Sequence, residues 1–176
     1  PRLRLISLRA KSIIFATGAI ERPLVFSNND RPGVMLASAV RTYLNRFGIA
    51  PLKRTLIVTN NDTAYKTAFD LAEAGIAVTM ADHRNVIPSD LLSRAAMMGM
   101  AMFPGTGIAD VEGTKQVSRV QLAGSHSATI ECDVLAISGG WNPVVHLTSH
   151  GGIKPVYSEA IAAFMPGGYA KSHFGA

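Results

Sequence analysis

One cysteine, Cys132, is present in 176 residues, which excludes an intrachain disulfide framework and a thiolate metal cluster. That scarcity fits a reducing compartment, and a cytoplasmic location is the expectation. Charged residues make up only 16% of the chain and aromatics 7%. The formal charge of +5 is spread thinly. No block of lysine or arginine is interleaved with aromatics, so a nucleic acid partner is not expected. The densest basic group, Arg2, Arg4, Arg9 and Lys11, alternates with apolar residues as the wet face of a strand would. No apolar run reaches the length of a membrane span, and no secretory leader is recognisable, so no membrane is expected as a partner. Apolar residues, by contrast, reach 48%, enough for a soluble globular core rather than disorder. A chain that opens on Pro1 and stops at Gly175-Ala176 reads as an internal piece of a longer protein.

A more local absence is glycine in one turn. Residues 54–59 read as a buried strand, 63–74 as the following helix, and 76–81 as a second strand ending in Asp82. That is the skeleton of a dinucleotide-binding βαβ unit. Such a unit needs glycine for a tight turn, for close approach of the pyrophosphate, and for helix–strand packing. Here Thr59 and Asn61 stand at the first two positions and Ala64 at the third. Ala64 is small enough to pack. Asn61 projects a side chain into the space of the phosphates, and Asp62 is placed to cap the helix by accepting its first N–H groups. A capping carboxylate competes with a diphosphate for the same donors and the same dipole. Asp82, about 20 residues past the turn, stands where a ribose-binding acid belongs. Asn61 and Asp82 are therefore candidate cofactor contacts, set against a retained structural domain whose crevice is closed or repurposed.

Around this unit the pattern is α/β. Leu3, Leu5 and Leu8 suggest a half-buried strand, and Ile13-Ile14-Phe15-Ala16-Thr17-Gly18 an apolar strand that stops at glycine. A polar connection with Glu21, Arg22 and Arg31 leads to a helix over residues 34–47, ended by Gly48. After the βαβ unit, residues 88–98 read as a second crossover helix and 100–103 as a strand, which argues for a parallel sheet. Residues 108–113, 117–122 and 128–132 read as a small antiparallel meander. Residues 133–140 then repeat the strand-to-glycine pattern, ending in Gly139-Gly140. Backbone at such a strand end can pass close to a ligand at the carboxyl edge of a sheet. Gly18, Gly139 and Gly140 are candidate cofactor-adjacent residues on that ground, against the plainer reading of a strand ended by a turn. Residues 156–176 carry no clear pattern beyond a turn at Pro166-Gly167-Gly168.

Covalent and metal chemistry have little support. Cys132 lies between Glu131 and Asp133, which disfavour its thiolate, and reads as inert. His146 and His150 have i,i+4 spacing but no carboxylate between them, and a metal site is not expected. No Gly-x-Ser-x-Gly elbow and no Walker loop occur. No residue is assigned as catalytic.

The runs Ile13-Ile14-Phe15-Ala16-Thr17-Gly18-Ala19-Ile20-Glu21-Arg22-Pro23 and Asn29-Asp30-Arg31-Pro32-Gly33-Val34-Met35 resemble the two-dinucleotide-domain flavoprotein superfamily. More narrowly, they resemble the alpha subunit of heterotetrameric sarcosine oxidase. The run from Ala39 to Gly48, the turn Thr59-Asn60-Asn61-Asp62, and the run from Gly139 to Leu147 are similar to that subunit too. The resemblance implies a parent that oxidatively demethylates sarcosine to glycine and hydrogen peroxide, with the one-carbon unit taken by tetrahydrofolate or released as formaldehyde. It implies NAD in the alpha subunit, FMN at the alpha–beta interface, FAD in the beta subunit, and gamma and delta subunits as further partners. On this resemblance the NAD-holding glycine turn precedes Pro1, the folate domain follows Ala176, and the amine-oxidising flavin belongs to another subunit.

The expected fold is therefore α/β: an FAD/NAD(P)-binding two-dinucleotide-domain fold, with a parallel βαβ sheet and a small antiparallel meander. Residues 1–32 are expected to belong to a first dinucleotide domain, 33–132 to an inserted second one, and 133–176 to the return into the first. The expected role is that of a cofactor-supporting and assembly-supporting segment of a hetero-oligomeric oxidoreductase, inactive by itself. One alternative is an NAD-linked flavoprotein reductase, which would need a working glycine turn upstream and a redox cysteine pair or other acceptor. Another is a non-catalytic subunit-interaction domain.

Overall fold

The computed structural model describes residues 3–50 and 54–168. Pro1, Arg2, residues 51–53 and residues 169–176, which include His173, lie outside the described residues. In chain order the elements are β1 (Ala19–Glu21), β2 (Val34–Leu36), α1 (Ala37–Phe47), β3 (Arg54–Thr59), α2 (Thr63–Glu73) and β4 (Ala77–Asp82). There follow α3 (Ser89–Met97), β5 (Ala101–Pro104), β6 (Thr106–Glu112), β7 (Arg119–Gly124), β8 (Ala128–Glu131) and β9 (Val134–Ser138). The last elements are β10 (Trp141–Pro143), α4 (His146–His150), β11 (Pro155–Ser158) and β12 (Ala163–Pro166). The described chain divides into two compact units, residues 21–140 and residues 3–20 with 141–168.

The larger unit is built on a five-stranded sheet in the order β2-β9-β3-β4-β5, parallel at every pairing. Strands β3 and β9 are nearly continuous apolar runs because both of their faces are covered. Leu56, Val58, Leu135 and Ile137 point to one face, where Val111, Val117, Val120 and Leu122 of the antiparallel β6-β7-β8 meander and its connections cover them. Ile57, Met80 and Ala136 point to the other, against α1, α2 and α3. Ala64 and Ala68 of α2 are buried against the sheet, so small side chains let that helix approach closely. Helix α1 ends where Gly48 takes a φ of 64°. Its N–H donates to the Leu44 carbonyl at 3.0 Å, and the Ile49 N–H to the Tyr43 carbonyl at 3.0 Å, the pairing that satisfies a helix C-terminus.

The helix expected over residues 34–47 begins three residues late. Val34, Met35 and Leu36 instead form β2, in parallel register with Leu135, Ala136 and Ile137. Their spacing suits either state, and the free edge of β9 decides for the strand, because pairing there satisfies backbone groups on both sides. Gly33, just before β2, has a φ of 96°, and a Cβ there would lie 2.6 Å from Val117 Cγ1. The other elements of the larger unit fall within two residues of the sequence-based bounds.

The smaller unit departs further from expectation. Residues 3–18 carry no strand, and Leu3, Leu5, Leu8, Ile13 and Ile14 are exposed. Alternating apolar residues favour a strand only where a neighbour pairs with its backbone, and no described strand pairs with this segment. Order in this unit comes from the β1–β10 pair and the antiparallel β11–β12 hairpin. The Thr17 hydroxyl donates to the Val144 carbonyl at 3.0 Å, and the Val144 N–H donates to the Gly18 carbonyl at 3.1 Å. Among the described residues, no helix is long and apolar enough to cross a membrane. Nor, among the described residues, does any group of three or more His, Cys, Asp or Glu stand placed to hold a metal.

Leu135 is fully buried in the second strand from the sheet edge, against the meander. Leu135→Ala should lower the unfolding free energy by about 2–5 kcal/mol in urea denaturation. A loss below about 1 kcal/mol would show that this face of the sheet is not close-packed.

Candidate functional site

In the larger unit, α2 leaves the end of β3 toward β4, while β9 lies on the other side of β3. The carboxyl ends of β3 and β9 therefore flank the place where open α/β sheets bind ligands. The parallel register sets Thr59 opposite Ser138 on one side and Asp82 on the other, so all three stand in one row at that edge.

The turn after β3 is held by its own side chains. The Asn61 N–H donates to Thr59 Oγ1 at 3.1 Å, and that hydroxyl donates to the Asn61 carbonyl at 3.1 Å. Asn61 Oδ1 accepts the Thr63 N–H at 3.1 Å and also the Thr63 hydroxyl. On the opposite side, Asn61 Nδ2 reaches Ser138 Oγ at 3.0 Å and the Ser138 carbonyl at 3.2 Å. The Asn60 N–H donates to the same carbonyl at 3.3 Å. One carboxamide thus spans the crevice from the start of α2 to the end of β9.

The expected cap by Asp62 is corrected. Asp62 has helical φ and ψ of −74° and −22°, and its side chain makes no capping bond. Asn61, one residue earlier, accepts the helix N–H instead. An N-cap side chain reaches back from an extended residue to the N–H two or three positions on, and Asp62 has already turned into the helix. Its carboxylate lies 2.7 Å from Arg84 Nη1.

Asp82 is fully buried. Its Oδ1 accepts from the Arg84 N–H and Nε, each at 3.0 Å, and its Oδ2 accepts from Arg84 Nη2 at 2.8 Å and the Tyr65 hydroxyl at 3.0 Å. The hydrogen bond to Asp82 is the main reason that Arg84 holds its proton more firmly than a free guanidinium, despite partial burial, with Asp62 adding to it. Burial first, then the Asp82 charge, pushes the Tyr65 hydroxyl above the ordinary phenol range. A buried carboxylate is tolerated when paired and hydrogen-bonded in this way.

The glycines after β9 have a local cause. A Cβ on Gly139 would lie 2.8 Å from the Pro23 carbonyl oxygen. One on Gly140, where φ is 99°, would lie 2.9 Å from Arg22 Nη2. The Gly139 N–H donates to the Arg22 carbonyl, and the Arg22 N–H to the Gly140 carbonyl, both at 2.8 Å. The backbone that approaches these glycines is the chain's own. Gly18 lies in the smaller unit with a φ of 66° and open space where a Cβ would project. Glu21, in the polar connection before α1, is buried and accepts the Ser38 N–H at 2.8 Å in the first turn of that helix.

Sequence reasoning brought Asn61 and Asp82 to this crevice but missed Tyr65, Arg84 and Ser138. An Asp-x-Arg spacing at a strand end was the only available sign of Arg84, and nothing marked the other two. Cys132 is buried, and burial first, with Asp133 next, pushes its thiol up to about 11, which suits an inert residue.

No protein-family model matches the chain. Curated relatives do. The sarcosine oxidase subunit alpha of Rhizobium meliloti (strain 1021) is 43% identical over 173 residues, covering 97% of this chain. That of Corynebacterium sp. (strain P-1) is 40% identical over 174 residues, covering 94%. The chain is related to sarcosine oxidase alpha subunits. It spans 17% and 18% of the length of these two relatives. Among solved structures, the thioredoxin reductase of T. acidophilum superposes with a TM-score of 0.69 at 16% identity, over 92% of this chain and 60% of that one. The L-proline dehydrogenase of P. horikoshii gives 0.63 at 24% identity, over 89% and 26%. At such identities these likenesses speak for the fold alone, that of the two-dinucleotide-binding flavoproteins.

Arg84→Ala leaves Asp82 buried without its charge partner and should cost about 3–5 kcal/mol of stability. Restoring much of that loss with Asp82→Asn in the same chain would confirm the cause, while a single-variant loss below about 1 kcal/mol would refute it. Tyr65 yields a pH prediction. The folded state keeps a proton that the unfolded chain releases near pH 10, so this contribution is full below about pH 10 and is lost above it. In an ultraviolet titration of the four tyrosines, one should ionise only with unfolding, and Tyr65→Phe should abolish that alkaline loss.

Proposed function

We propose that the chain is the middle segment of a sarcosine-oxidase-like alpha subunit, supporting cofactor binding and subunit assembly in an oxidoreductase that demethylates sarcosine. The observation that carries this reading is identity of 40% or more along 94–97% of the chain to two such subunits. A two-dinucleotide-binding fold in the larger unit is consistent with it.

In this reading residues 1–20 and 141–176 belong to a first dinucleotide domain, and the larger unit, whose five-stranded sheet includes β9, to an inserted second one. The exposed apolar residues Leu3, Leu5, Ile13 and Ile14 then meet parts of the parent outside this chain. NAD in the alpha subunit, FMN at the alpha–beta interface and FAD in the beta subunit would supply the redox chemistry. The residues described here offer positioning rather than chemistry: Gly139 admits the crossing backbone of Arg22 and Pro23, and Glu21 steadies the start of α1. The beta, gamma and delta subunits, sarcosine and tetrahydrofolate are the proposed partners and substrates of the whole complex, in the cytoplasm.

The test is to purify the parent protein with its co-encoded subunits and follow oxygen uptake and peroxide on adding sarcosine. Sarcosine-dependent peroxide in proportion to glycine is the expected result. NADH-driven reduction of a disulfide or protein acceptor, with no response to sarcosine, would replace this reading by that of a flavoprotein reductase.

A further inference from the structure

We infer that the switch-point crevice of the larger unit is plugged by its own side chains, with Asn61 standing in for the ligand diphosphate, so that this unit binds no dinucleotide. Resting on the reading of the unit as a supporting segment, this assigns any cofactor of the parent to another place.

Three separate requirements of a dinucleotide meet three separate occupants. A diphosphate would take the N–H groups at the start of α2. The Thr63 N–H already donates to Asn61 Oδ1, and the same carboxamide is tied by its nitrogen to Ser138 across the crevice. Held at both ends, it cannot rotate aside without breaking contacts on two walls. A ribose hydroxyl would need a free carboxylate oxygen at Asp82. Both oxygens there accept from Arg84, one also from Tyr65, and the residue is fully buried. Close passage of a ligand over a glycine after β9 would need open space. The Pro23 carbonyl takes that space over Gly139.

Electrostatics point the same way. Asp62 stands just before α2, and the ion pair of its carboxylate with Arg84 ties the turn after β3 to the end of β4. An incoming diphosphate would meet that carboxylate, and Arg84 is already shared between two acids. Asn61 satisfies the helix donor without adding charge, and the row of Ser138, Thr59 and Asp82 supplies its setting. The fold of a nucleotide site is therefore kept as a rigid support.

The test is an ADP titration of the isotopically labelled chain, read by the backbone amide signals of residues 59–64 and of Asp82. ADP carries the diphosphate and ribose in question. In the natural chain these signals should stay unmoved at about 1 mM ADP, a threshold equivalent to roughly −4 kcal/mol. Asn61→Gly removes the plug and should bind ADP at least about tenfold more tightly, with shifts at Thr63 and Ala64. Saturable binding by the natural chain below about 1 mM, or an Asn61→Gly chain no better than the natural one, would overturn the inference. A second measurement needs no variant: the Asn61 side-chain NH2 protons should be distinct and protected from solvent exchange. A freely exchanging carboxamide would overturn the plug by itself. None of these readouts depends on sarcosine turnover, so the crevice and the proposed activity can each fail alone.

Discussion

The parallel register of β9, β3 and β4 brings Ser138, Thr59 and Asp82 into a single row at the carboxyl edge of the sheet. Everything at the crevice depends on that alignment. A slip of one residue would turn each side chain to the opposite face, burying polar groups in the meander or helix layer. The register is held because both faces of the central strands are buried: Leu56 and Val58 against the meander, Ile57 against the helices. Core packing and site geometry are thus one constraint, and side chains can reach across the crevice only because the strands beneath them cannot shift.

On that base the crevice is closed from within. Asp82 would be costly to bury alone, and its placement is tolerable because Arg84 and Tyr65 satisfy it. Arg84 in turn reaches Asp62, which links the start of α2 to the end of β4. Asn61 completes the arrangement on the other side by joining α2 to β9. A carboxamide suits this place better than a carboxylate because it accepts from the helix and donates to Ser138 at once. Features that resemble a damaged nucleotide motif in sequence form a consistent set of internal contacts in space.

The larger unit was legible in sequence to a high degree. Continuous apolar runs at β3 and β9, small residues on α2, and Gly48 after its helix each have a direct physical meaning, and the elements lie close to where those signals put them. The boundary at β2 was not legible, because three apolar residues fit a helix face or an edge strand equally. Leu3, Leu5 and Leu8 illustrate the converse: a strand-like pattern forms no strand where no described neighbour offers its backbone. At the site, a turn without glycine announced an altered crevice, and Asn61 stands at its centre, bonded to Ser138 and to Thr63. The capping role fell to Asn61 rather than Asp62, because the helical conformation of Asp62 carries its side chain away from the helix donors.

Strand, helix and turn signals act over a few neighbouring residues, so the α/β class, the βαβ skeleton and the loss of the glycine cradle are all legible locally in the chain. What fills the cradle is a matter of long-range packing. Ser138 lies 77 residues from Asn61, Arg22 and Pro23 more than a hundred from Gly139, and Arg84 22 from Asp62. Hydrogen bonds need approach within about 3 Å, and separations of that kind are set by which strands pair and in what register. That depends on the packing of the whole sheet and leaves no local trace in the chain.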